Sequence, residues 1–193
     1  MYIVYLTVML INLAAAFLLL AWYVYKGLPC SDNKAWVPAF VVTGSVALIF
    51  GLHMSLTWPM PGVYNIAFGE PSVMVGALFL AGSWGIARCM NFTPLSIYAF
   101  LAGIAAMVIG VRFIQLNISQ EPLAAGIGLL MSGLAGVLTL PATYIWPRNR
   151  TAGRIFQLLL VLLLVAAALL WAYTGYITYW DHMDSFRQWN PNK

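Results

Sequence analysis

The chain has 193 residues, of which 63% are hydrophobic and only 7% charged, whereas ordinary soluble domains carry roughly 25% charged residues. So few charges cannot cover a water-soluble surface, and the repeated apolar stretches, each long enough to cross a hydrocarbon core of about 30 Å, define a polytopic helical membrane protein in contact with the lipid bilayer. The formal charge of +4 is scattered over membrane-flanking loops, which gives no nucleic-acid footprint, and alternating strands of the outer-membrane barrel type are absent.

Six spans are predicted, over 3–25, 36–57, 71–90, 94–116, 123–146 and 155–180, forming one all-α domain, a compact bundle over 1–193. The first begins at Ile3 with no basic segment before it and no small-residue cleavage site, so it reads as a retained span. Asn12, alone in that span, is expected to hydrogen-bond another helix. Pro38 falls in the first turn of the second span, and Glu70-Pro71, Thr93-Pro94 and Glu121-Pro122 open the third, fourth and fifth. Proline there gives up an N–H that has no intrahelical partner, and the Thr or Glu before it is expected to cap the remaining N–H groups.

Small residues recur at every fourth position: Thr43, Ala47, Gly51 and Ser55; Ala77, Ala81 and Gly85; Ala102, Ala106 and Gly110; Gly128, Ser132 and Gly136. Such stripes let helix backbones approach in lipid, so the middle four spans are expected to pack tightly. The sixth, with LLLVLLLVAAALL, lacks the stripe and is predicted to be peripheral and lipid-facing. No 3+3 repeat is visible and no span is broken midway by Gly and Pro, which argues against a secondary transporter.

One set of loops carries Lys26, Lys34, Arg88, Arg148, Arg150 and Arg154; the other carries Arg112, Arg187 and Lys193. The positive-inside rule then puts the first set in the cytoplasm and both termini outside a cell membrane. Cys30 and Cys89 fall on the cytoplasmic side, where reduced thiols are expected. Trp22, Tyr23, Tyr25 and Trp36 mark the inner interface, and Trp58, Tyr179 and Trp180 the outer.

The stretch HMSLTWPMPGVYNIAFGEPS, from His53 to Ser72, is richer in Pro, Gly, Asn and aromatic residues than a plain connector needs. Its outer loop, 58–70, and the tail 181–193 face the same side as most of the polar side chains. His53, Glu70, Arg112, Asp181 and His182 form the candidate site, with Glu121 and Asp184 nearby. Each has a bland reading: Glu70 and Glu121 start helices, Arg112 snorkels to the headgroups, and a single helical histidine more often serves structure than a ligand. His53 lies near a small-residue stripe and is expected to point into the bundle.

Three chemistries fit that set. A bis-imidazole haem would use His53 and His182, with Arg112 at the propionates. A copper site would draw on His53, Met54, Met60, His182 and Met183, although adjacent helical residues diverge by about 100°. A proton-linked site for a quinone or small solute would use Glu70, Arg112 and a histidine; a purely structural hydrogen-bond network is preferred to all three. GSWG around Ser83 is not a nucleophile elbow and lies inside a span, so no catalytic residue is assigned.

TWPMPGVYNIAFGEPSVMVG resembles the hallmark segment of an uncharacterised archaeal and bacterial membrane-protein family, domain of unknown function 981. The resemblance extends over the whole chain, including YWDHMDSFRQWNP near the end. It implies a multi-span helical protein and supplies no reaction, substrate or cofactor. Phe186 and Trp189 in the tail suggest packing against the outer loop or a neighbouring subunit. The functional expectation is a membrane-embedded accessory or structural subunit of a larger respiratory or oxidase-type complex, without catalysis of its own. A small haem or copper redox protein and a small-solute transporter or channel are the alternatives.

Overall fold

Apolar runs punctuated by proline fold as six membrane-length helices in a computed structural model, which describes residues 5–26, 30–119, 121–185 and 187, with the backbone alone for 30–32. They are α1 (Leu6–Lys26), α2 (Val37–Thr57), α3 (Glu70–Ala87), α4 (Thr93–Gln115), α5 (Pro122–Ile145) and α6 (Arg150–Ser185). All six are long and apolar enough to cross a membrane, as predicted. A 3-10 turn, Cys30–Trp36, leads into α2, and a π-helical turn, Asn65–Gly69, leads into α3. Phe186, Trp189, Lys193 and the Cys30 thiol lie outside the described residues.

The helices stand in a ring in chain order, with α6 closing against α1. Six crossings place both ends of the bundle's chain on one side, beside the 58–69 segment; this is called the cap end here, and the opposite end the open end. The closest crossings run through glycines spaced seven residues apart. Gly44 and Gly51 on α2 meet Gly76 and Gly69, and Gly103 and Gly110 on α4 meet Gly133 and Gly126 on α5. A Cβ on Gly76 would sit 2.7 Å from the Leu48 Cα, and one on Gly110 would sit 2.9 Å from the Gly126 carbonyl oxygen. Backbone thus packs on backbone in two hairpins of the same design, where van der Waals contact replaces the hydrophobic drive that lipid removes. Only part of the expected four-residue stripes lies at these crossings: Gly85 faces Phe92 and Gly128 faces Trp171.

Two further expectations are corrected. α6 is not a peripheral helix: it packs on α1 and α5 and buries Leu160, Leu164, Ala167, Ala168 and Trp171. Gly175 lies against Leu10 and Ile11 of α1 and Trp171 fits over Gly128 of α5, so the missing stripe was no sign of lipid exposure. Prolines do sit in the first turns of α2 to α5, but none of those four helices has a side-chain cap bond. The π turn runs directly into α3 and supplies its early N–H groups with backbone partners, while Asn91 Oδ1 accepts from the Thr93 N–H at 2.9 Å.

Cys89 is disulfide-bonded, which overturns the expectation of a reduced thiol there. Cys89 sits in the short α3–α4 turn with φ 55°, the left-handed conformation that closes the turn.

Candidate functional site

The cap is built on one asparagine. Trp58 ends α2 in the left-handed conformation, its N–H donating to the Met54 carbonyl at 3.3 Å, and Gly62 turns the chain back with φ 60°. Asn65 is fully buried beneath this turn. Its Nδ2 donates to the Met60 and Gly62 carbonyls at 2.5 and 3.1 Å, and its Oδ1 accepts from the Met60 N–H at 3.0 Å. Tyr64 reaches across to donate to the Ile118 carbonyl at 2.8 Å. Burial pushes its phenol above the ordinary value, so it remains a donor. Phe68 then meets Phe113 and Trp171 edge-on, with ring centroids 5.7 and 6.3 Å apart, and closes the centre of the ring.

The residues expected to form a polar site share the cap end without converging. His53 is exposed rather than turned into the bundle; its Nδ1 lies 2.9 Å from the Tyr5 hydroxyl, and its ring packs edge-on to Tyr5. Seven-residue glycine spacing explains the difference, because the crossing face of α2 is that of Gly44 and Gly51, not of His53. Met54, next to His53, is fully buried, so the two diverge as adjacent helical residues must. Glu70 is exposed in the first turn of α3, and Arg112 is exposed with its Nη1 donating to Gln115 Oε1 at 3.2 Å. Asp181, His182 and Met183 occupy the last turns of α6, and Met60 packs against the main core. Among the described residues, no hydrogen bond or ion pair joins His53, Glu70, Arg112 and Asp181 to one another, and no group of three His, Cys, Asp or Glu is placed to hold a metal.

Concave space lies instead inside the ring. A cavity of about 590 Å³ is walled by all six helices and lined almost wholly by apolar side chains. It begins under Ala67, Phe68 and Trp171 at the cap and extends to Phe92, Trp146 and Gln157 at the open end. Along α6 its wall runs from Gln157 to Trp171, about 20 Å at about 1.5 Å per residue. Length and lining suit a chain rather than a compact polar solute.

The cavity's polar groups are mostly used by the protein. Asn12 Nδ2 donates to the Thr43 carbonyl at 3.0 Å, the interhelical bond expected of it. The Trp171 indole N–H donates to Ser132 Oγ at 2.9 Å, and Ser132 donates to the Gly128 carbonyl at 2.7 Å. Thr143 donates to Ser96 Oγ at 2.9 Å, tying α5 to α4, and Gln157 Nε2 donates to the Val24 carbonyl, tying α6 to α1. Sequence reasoning missed Ser96, Thr143, Gln157 and Trp171. Gln157 was the detectable one, a single amide in an apolar helix, like Asn12.

Gly82 marks the wall between α3 and α4. Those two are a loosely packed pair in the ring, with Gly82 and Gly85 facing Leu95 and Phe92 beside their connection. Gly82 is buried in mid-helix, yet a Cβ there would meet nothing nearer than Leu95 Cδ2 at 4.0 Å. A helical glycine costs about 1 kcal/mol relative to alanine. No neighbouring backbone requires this one; what it preserves is cavity volume.

Fold and cavity together define a polytopic α-helical membrane protein built around an apolar chamber. The chain belongs to the family described as "Protein of unknown function (DUF981)", which it matches over residues 1–185. That match takes in the cap and all six helices, in agreement with the resemblance of the WPMPGVYNIAFGEP segment. No curated protein and no solved structure matches the chain.

Proposed function

We propose that this chain is a membrane-embedded binding protein that holds one long-chain amphiphile inside its helix ring. The elongated apolar cavity carries this reading. Left empty, 590 Å³ of core would cost on the order of 10 kcal/mol at about 24 cal/mol per Å³. That is as large as the whole stability of a typical domain, about 5–15 kcal/mol, which favours an apolar occupant over an empty chamber. The volume lies within the range of about 300–1,000 Å³ typical of small-molecule sites. Protein purified in mild detergent and washed free of bulk lipid is expected to retain about one amphiphile per chain by native mass spectrometry. Protein that carries none, while still folded, refutes the reading.

One observation favours the accessory-subunit reading as a second role. α6 has 36 residues, about 54 Å at about 1.5 Å per residue, well beyond the hydrocarbon thickness. Its last turns expose Trp180 and Met183 at 78% each, a surface suited to a protein partner at the cap end.

The Lys and Arg distribution supports a cytoplasmic open end and an external cap. The Cys89 disulfide is the one feature against this orientation, since reducing compartments disfavour such bonds. Val63 is exposed on the cap. Val63→Cys in intact cells is expected to react with a membrane-impermeant maleimide. Reaction only after the membrane is breached would reverse the orientation.

A further inference from the structure

We infer that the amphiphile is anionic, with its chain in the cavity and its headgroup in a recess at the open end beside Arg148; this rests on the proposed binding function. A second cavity of about 420 Å³ lies at that end, lined by Asn91, Thr93, Thr143, Tyr144, Pro147 and Arg148. Asn91, Thr143 and Pro147 also line the long cavity, so the polar recess and the apolar chamber share a wall. A chain seated in one brings its headgroup to the other.

Arg148 is held in place rather than left to sweep the interface. Its Nη1 donates to the Tyr144 carbonyl at 2.8 Å, and its guanidinium carbon lies 3.8 Å from the centre of the Tyr144 ring. A guanidinium fixed in this way keeps its other N–H groups for an anion, and its fork geometry matches phosphate or carboxylate oxygens. The surrounding charge agrees. The open end carries Lys26, Lys34, Arg88, Arg148, Arg150 and Arg154 against the single acid Asp32, a net of +5, while the cap end sets the other four acids against Arg112, Arg187 and Lys193, a net of −1. An anionic headgroup is attracted to the strongly cationic open end, which sets the direction in which the amphiphile lies. Phosphate and carboxylate headgroups share this chemistry, and the choice between them is left to the probes.

The test measures retention of defined amphiphiles by the full chain in neutral detergent, using phosphatidylglycerol, diacylglycerol with the same chains, which has no phosphate, and palmitate. Wild type is expected to prefer phosphatidylglycerol over diacylglycerol by about tenfold, the scale of one charge-assisted hydrogen bond. Retention of palmitate at the level of phosphatidylglycerol assigns the recess to carboxylates as well, and its loss restricts the recess to phosphates; either result supports an anion site. Arg148→Gln should abolish the preference while neutral-lipid retention persists, and Arg148→Lys should restore most of it. Arg150→Gln, a nearby exposed cation that lines neither cavity, should leave the preference unchanged. Retention without charge preference, or an equal loss in the Arg148 and Arg150 variants, overturns the headgroup site and leaves the binding function standing. Retention of no amphiphile by wild type overturns both.

Discussion

Gly76→Leu is expected to break the α2–α3 hairpin, lowering the detergent melting temperature by roughly 6–12 °C, which corresponds to about 3 kcal/mol for a chain of this size. The cause is backbone contact. A Cβ at Gly76 would lie 2.5 Å from the Leu48 nitrogen and 2.8 Å from its Cβ, so even alanine forces the two helices apart. Leu48 cannot rotate out of the way, because the clash is with its main chain. The same substitution at Gly82, less than two turns further along α3, meets open space and should change stability by no more than about 1 kcal/mol. Equal losses at the two positions would mean that α3 does not cross α2 through its glycines.

Asn65→Leu is expected to unfasten the cap while leaving the α4–α5 hairpin intact. The side chains are close in size, but leucine removes three hydrogen bonds at a site with no solvent exposure. Each buried polar group left without a partner costs about 1–3 kcal/mol. Gly62 is exposed and its carbonyl can turn to water, so the loss falls on the Met60 N–H and carbonyl, a total of about 2–6 kcal/mol. Hydrogen exchange at the Met60 amide and protease cleavage within 58–64 should both rise sharply. Asn65→Asp keeps the acceptor for the Met60 N–H but sets a buried carboxyl against the two carbonyls, so its cap should be looser at neutral pH than at acidic pH, where the protonated carboxyl can donate to one of them. Unchanged protection in Asn65→Leu would show that the cap is held by its aromatic contacts alone.

These two residues show what could be read from the sequence and what could not. Composition and span length made the six helices legible, and proline placed the starts of four of them. The cap was legible as an anomaly, since a connector has no need of WPMPGVYN; the role of Asn65 was not, because its partners are backbone groups that every residue has. Four-residue spacing was the wrong period for the crossings. Gly44 and Gly51, Gly69 and Gly76, Gly103 and Gly110, and Gly126 and Gly133 repeat every seven residues, as helices crossing at a small angle require. Gly82 and Gly128 belong to the cavity and to Trp171 instead.

The polar cap-end set attracted attention because charges stand out in an apolar chain. Among the described residues, however, those side chains face outward or bind near neighbours: Tyr5 for His53 and Gln115 for Arg112. The cavity is made of residues that look ordinary for a membrane span, and only the ring arrangement turns them into an interior surface. Arg148 was legible as a topology signal, whereas its position over Tyr144 at the mouth of the chamber depended on where α5 ends.

The central claim, that the chamber is occupied by a chain, is tested most directly through Gly82. Gly82→Phe places a ring in the cavity without striking neighbouring backbone, whereas Gly82→Ala narrows it only slightly. Native mass spectrometry of the three proteins, purified side by side and each checked for folding by circular dichroism, should find about one bound amphiphile in wild type, a comparable amount in Gly82→Ala and almost none in Gly82→Phe, whose ring obstructs the chamber. Undiminished retention by folded Gly82→Phe would contradict the account, since it would place the bound molecule on the outside of the helix ring.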